Sequence, residues 1–218
     1  MPHRNSDDEI GWLERELEAA RAAGIDDEEL LALLGRIARL ATPGDATWIS
    51  AFRQLAELGV EHDPWRAALY ARKVLTYLPQ DDAAWAVMGL AQSLLRNYRY
   101  AAFAYERALQ TAPDNPFYLH NLGHLYDVAL DRPRDALPLL SRALEVKRDE
   151  ADIAASYAHA LARCGKRALA KRILARAIRH GATADQKELF RWLEAGAPGA
   201  RASTSRQVRR KKPPKQKE

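Results

Sequence analysis

A single cysteine, Cys164, is all the thiol this 218-residue chain carries. That excludes an internal disulfide framework and a cysteine-built metal site. Long apolar runs are also missing. The longest stretch without a charged residue, Ala83 to Leu95, spans 13 residues and still contains Gln92 and Ser93. A membrane span needs roughly 20 apolar residues, so no span is expected. The opening residues, Met1 to Glu9, have no apolar h-region and do not read as a signal peptide. These absences make a cytoplasmic protein the expectation. Catalytic motifs are absent as well: no glycine-rich phosphate loop, no Gly-x-Ser-x-Gly, no Cys-x-x-Cys and no His-Glu-x-x-His. Neither an enzyme nor a cofactor is expected. Cys164 falls at a predicted turn beside Gly165, with Arg163, Lys166 and Arg167 around it, and those cations would lower its pKa. With no partnered base in view it reads as an incidental thiol.

What the chain does have is alanine, 41 of it, in a composition that is 47% hydrophobic and 29% charged. That balance supports a folded core. So much alanine, with few β-branched and aromatic residues, points to closely packed helices rather than sheets. The net charge of +5 conceals an asymmetry. Residues 1–47 carry eleven acids against five arginines. Residues 197–218 hold eight basic residues and one acid, Glu218. The basic character therefore belongs to a tail, which lacks apolar periodicity and is predicted to be disordered.

Internal repetition decides the fold. Trp85, Gly89, Ala101, Tyr105, Ala108 and Pro113 are spaced 4, 12, 4, 3 and 5 residues apart. Leu119, Gly123, Ala136, Leu140 and Ala143 repeat the pattern if one extra residue is placed in the turn near Arg132-Pro133. Ala154, Ala158, Ala170, Leu174 and Ala177 restore the first spacing. Upstream, Ala51, Leu55, Ala67, Ala71, Val74 and Pro79 follow more loosely. The period is 34 residues, once 35. Small residues at fixed places let two helices approach within roughly 8–10 Å. Larger ones, such as Trp85, Tyr105, Leu119 and Leu140, fill the gaps between units. A single helix pair cannot bury its apolar face, so stacking must supply the core.

This pattern resembles the tetratricopeptide repeat (TPR) family over residues 48–184, in four units: 48–81, 82–115, 116–150 and 151–184. The unit 82–115 fits best; 48–81 departs, with Leu55 where a small residue is usual. The resemblance implies an all-α, right-handed superhelix, an α-solenoid of helix-turn-helix units. Helices at either end would cap it. Ser6 and Glu9 read as a capping box opening one helix to about Ala23. Asp26 reads as the N-cap of a second, which Thr42-Pro43-Gly44 stops. Together they form an acidic N-terminal pair within residues 1–47. Asp114 or Asn115 would cap the helix beginning at Pro116. Thr183 and Gln186 open a terminal capping helix over 185–196.

The resemblance also implies where a ligand would sit, since in this family the concave groove is lined by first-helix positions. These are Phe52, Leu90, Phe117, His120, His124, Asp127, His159 and Arg163, with Asn121 beside them. His120, His124 and Asp127 fall at i, i+4 and i+7 on one helix face, with His159 expected on the neighbouring first helix. Three imidazoles and a carboxylate would make a metal site if they converged. The plainer reading, and the expectation, is a set of polar groove residues that hydrogen-bond a peptide, with no metal. The family's two-carboxylate clamp is not matched, because Phe52 and Ala56, or Ala86 and Leu90, stand where it needs Lys and Asn. The convex, second-helix surface is expected to be charged, as Arg72, Arg107, Arg142 and Arg176 suggest.

The function expected is therefore a non-enzymatic scaffold or adaptor that holds a peptide or helical segment of another protein in its groove. A secretion-type chaperone of the same repeat class is a more specific variant. The alternative from a different class is a nucleic-acid-associated protein, contacting phosphates through Arg209, Arg210, Lys211 and Lys212. That tail has no aromatic residue to stack on bases.

Overall fold

In the computed structural model, residues 6–180 and 183–197 are described. Among them there are eleven α-helices and no strand. Two helices, α1 (Ser6–Ala22) and α2 (Asp27–Leu40), precede four helix pairs. The pairs are α3 (Ala46–Gly59) with α4 (Pro64–Tyr77), and α5 (Asp82–Leu94) with α6 (Tyr98–Thr111). Then come α7 (Pro116–His124), continued by a π-helical turn at Leu125–Ala129, with α8 (Pro133–Val146), and α9 (Ala151–Arg163) with α10 (Arg167–Ala177). A 3-10 turn, Ile178–His180, precedes α11 (Ala184–Glu194). Each helix packs on the next, and α3 touches α5, α7 touches α9 and α9 touches α11. The first helices thus form one layer and the second helices another. The tail residues Arg209, Arg210, Lys211 and Lys212, and the disorder expected of them, lie outside the described residues.

The helix starts are set chemically. Asp26, Asp45, Asp63 and Asp81 each accept a backbone N–H from the first turn that follows, which satisfies donors that a helix end leaves orphaned. At α7 the cap is Asn115, whose side chain accepts from Phe117 and Tyr118. Asp114 instead pairs with Arg142 at 2.9 Å. Thr183 and Gln186 form a complete capping box on α11.

Within each pair, close approach depends on small residues. Ala67, Ala71, Ala101, Ala108, Ala136, Ala143 and Ala170 on the second helices are all buried. A Cβ added at Gly89 would lie 2.9 Å from the Tyr105 ring, and one at Gly123 would lie 2.6 Å from Leu140 Cγ. In three of the four pairs the turn between first and second helices uses a left-handed residue. Gly165 supplies it in the last pair, with φ +82°, but Arg96 (φ 62°) and Asp131 (φ 54°) hold the equivalent places upstream.

Two expectations change here. The extra residue of the 35-residue unit is not in the turn at Arg132-Pro133. It is absorbed inside the first helix, where the Leu130 N–H bonds to the Leu125 carbonyl at 3.0 Å, five residues back. The second-helix surface is also less uniformly charged than expected. Trp65 is 69% exposed, and Tyr100 and Phe103 stand beside each other in the open.

Candidate functional site

The π-turn positions the site. One additional residue in a helical turn rotates everything after it relative to an unbroken α-helix, and such bulges occur often at functional sites. Asp127 lies within this turn and is 1% exposed. There it accepts from His159 Nδ1 at 2.5 Å and from Arg163 Nη1 at 2.9 Å. Arg163 also donates to the Asp127 backbone carbonyl and to Asp131. The buried carboxylate is thus matched by donors from α9, as a buried charge must be. Asp127 is buried and holds α9 in place rather than forming part of an open wall, which corrects the placement expected for it. Arg163 is likewise turned toward Asp127 and Asp131.

On the open side of this network, His120 Nε2 and His124 Nδ1 approach the same hydroxyl, Ser156 Oγ, at 2.9 and 3.3 Å. One serine proton can be donated to one ring while the oxygen accepts from the other. Burial pushes the His120 pKa down to about 4, with the neighbouring His124 adding to the effect and Asp152 opposing it. His124, more open to solvent, moves down too, mainly through desolvation, against the pull of Asp127. Both rings are therefore neutral near pH 7. His159 stacks on Trp192 of α11 with ring centroids 5.6 Å apart. Gln186 Nε2, also on α11, donates to Asp152 Oδ1 at 2.9 Å. The terminal helix so closes one side of a cleft of about 580 Å³.

Of the nine groove residues expected, four line this cleft: His120, Asn121, His124 and His159. Asn121 Nδ2 also donates to Tyr105 Oη at 3.2 Å, while burial raises the Tyr105 phenol to about 12. Phe52 is only 6% exposed, tilted against Trp48 and Tyr70 with the Lys73 ammonium 4.2 Å above its ring. It is a core residue, because the aromatic cluster around it has no other place to bury. Leu90 is half-buried between two parts of the core. Phe117 is 50% exposed but lies under Lys147, 4.4 Å away, outside the cleft. Ser156, Asp152, Asp185 and Gln186 complete the walls. Ser156 carries no motif that would mark it in the sequence, whereas the Thr183–Gln186 capping box placed α11 but not its role as a wall.

The imidazoles do not converge: two meet at Ser156 and the third is held by Asp127. Among the described residues no group of three or more His, Cys, Asp or Glu is arranged to hold a metal. Of the two imidazoles at Ser156, His120 is made a weak proton acceptor at neutral pH by its burial. The carboxylate that would orient such a base, Asp127, is bonded to His159 instead. Cys164 also departs from expectation, since burial raises its pKa and outweighs Arg134, Lys166 and Arg163. No helix among the described residues is long and apolar enough to cross a membrane.

No family profile matches the sequence, and no curated protein does. Solved structures do match. MamA (residues 41 to the end) from Desulfovibrio magneticus RS-1 superposes with a TM-score of 0.69 at 19% identity, covering 78% of this chain and 94% of that one. Another MamA structure gives 0.66 at 16% identity, over 82% and 92%. YrrB, described as a TPR protein with an unusual peptide-binding site, gives 0.60 at 23% identity, over 70% and 77%. With the stacked helix pairs and their small-residue contacts, these likenesses show that the chain has the fold of the tetratricopeptide repeat proteins.

Proposed function

We propose that this protein is a non-enzymatic interaction scaffold that holds a peptide or helical segment of another protein in its concave groove, centred on the cleft between α7, α9 and α11. The observation that carries this reading is the cleft itself. It is about 580 Å³, walled by polar groups with fixed partners and by the apolar faces of Val128, Ala155 and Leu189. Apolar walls supply burial and preset polar groups fix register, so a rigid stack loses little entropy on binding. YrrB, of the same fold, has a peptide-binding site by its own description. Capture from a native lysate by the full chain tests the reading. His124→Ala and Val128→Asp should abolish capture of a specific partner without lowering the melting temperature. Arg107→Glu with Arg142→Glu, on the second-helix surface, should leave it nearly intact. The reverse pattern would move the partner to the other face.

A further inference from the structure

We infer that the His-lined cleft selects a cationic side chain, a lysine or arginine borne on the partner's segment. The inference rests on the scaffold reading and adds the chemistry of what the scaffold holds. The charged walls are Asp152 on α9 and Asp185 on α11, and no Lys or Arg is among the described lining residues. The Arg163 guanidinium on α9 is committed to Asp127 and Asp131. His120 and His124 on α7 are neutral near pH 7 because burial disfavours their charged forms. His159 Nδ1 is bonded to Asp127 in the π-turn.

The N-termini of α9 and α11 oppose the two aspartates, since Asp152 and Asp185 both lie in first turns. Each helix end contributes about half a positive charge. Two carboxylates against two half-charges leave the cleft at roughly one net negative charge. The capping box of α11 further occupies the Thr183 and Gln186 N–H groups. A partner's carboxylate would meet like charge here. A lysine would lay its methylene stem along Val128, Ala155 and Leu189 and place its ammonium between the carboxylates. The neutral imidazoles and Ser156 Oγ offer further acceptors. An arginine fits the same logic with a planar head.

Acidification should weaken the preference. As pH falls below 6.5, His124 begins to gain a proton inside the same cleft, and that charge repels the bound cation.

The test uses the full-length protein and three fluorescein-labelled 14-residue peptides of alanine and leucine. They are identical except for three lysines, three glutamates or three glutamines at matched positions. At pH 7.5 the lysine peptide should bind at least about tenfold more tightly than the glutamine peptide, the scale of a charged hydrogen bond. Asp185→Asn with Asp152→Asn should remove that advantage while leaving the weaker glutamine binding in place. Lysine binding should fall between pH 7 and 5, and His124→Gln should flatten the fall. Equal binding of all three peptides, lost on Val128→Asp, would overturn the cation inference and leave the scaffold reading standing. A lysine advantage that survives the double Asp→Asn change would also overturn it. Binding of none of the three would overturn both.

Discussion

Replacing Gly89 with alanine tests the register of the stack, and replacing Gly35 supplies its internal control. Both glycines lie inside helices, α5 and α2. In a helix interior alanine is favoured over glycine by ~1 kcal/mol. At Gly35 a new Cβ finds only the end of the Arg39 side chain, at 3.8 Å, so Gly35→Ala should stabilise by ~1 kcal/mol. At Gly89 the new Cβ would sit 2.9 Å from two Tyr105 ring atoms and 3.0 Å from a third. Tyr105 cannot swing aside freely, being 2% exposed and bonded through Oη to Asn121. Overpacking of that kind costs ~1–3 kcal/mol. The propensity gain offsets part of it, so Gly89→Ala should be neutral to ~2 kcal/mol destabilising. The difference between the two variants cancels propensity and isolates the packing cost. Urea denaturation followed by circular dichroism at 222 nm measures it, and thermal midpoints should separate by ~2–4 °C per kcal/mol. Equal stabilisation by both substitutions would refute the close approach of α5 and α6.

Other outcomes follow from the site and the turns. The His120 pKa is depressed from 6.5 to about 4, so its contribution to stability is complete above pH 6.5 and is lost as pH falls toward 4. Linkage gives ~2 kcal/mol of destabilisation at pH 5 from this residue, and His120→Gln should flatten that part of the stability–pH curve. Asp127→Ala should cost ~3 kcal/mol, because it leaves the Arg163 and His159 donors without their buried acceptor; calorimetry that found the variant unchanged would contradict the network. Arg96→Gly should stabilise by up to ~1 kcal/mol, since a left-handed backbone costs a non-glycine residue about that much. Asp131→Gly should not, because Asp131 also holds Arg163.

The fold was legible because a 34-residue spacing of small residues has one physical use, the close pairing of helices in a stack. Gly89, Ala101 and Ala108 carried that signal, and the caps at Asp26, Asn115 and Thr183 follow from side-chain chemistry that is local. The site was legible only in part. His120, His124 and His159 share the cleft because helical spacing and neighbouring first helices put them there. Asp127 is not on the open face: its position in the unit is buried in unbroken α9 too, at Ala162, and its bonds to His159 and Arg163 depend on stacking that residue spacing does not report. Phe52 sits at a groove position by number, but the bulk of Trp48 and Tyr70 makes burial its better solution. Ser156 and Asp185 reach the cleft only through the stacking of α9 and α11, which no local pattern reports.

Site-specific photo-crosslinking tests the groove most directly. A photoreactive amino acid replaces Val128 on the cleft wall in one protein and Arg176 on the second-helix surface in another, and both are irradiated in native lysate. A discrete cross-linked partner is expected from position 128, lost when His124 is also changed to alanine, and none from position 176. A partner cross-linked at 176 and not at 128 would contradict it.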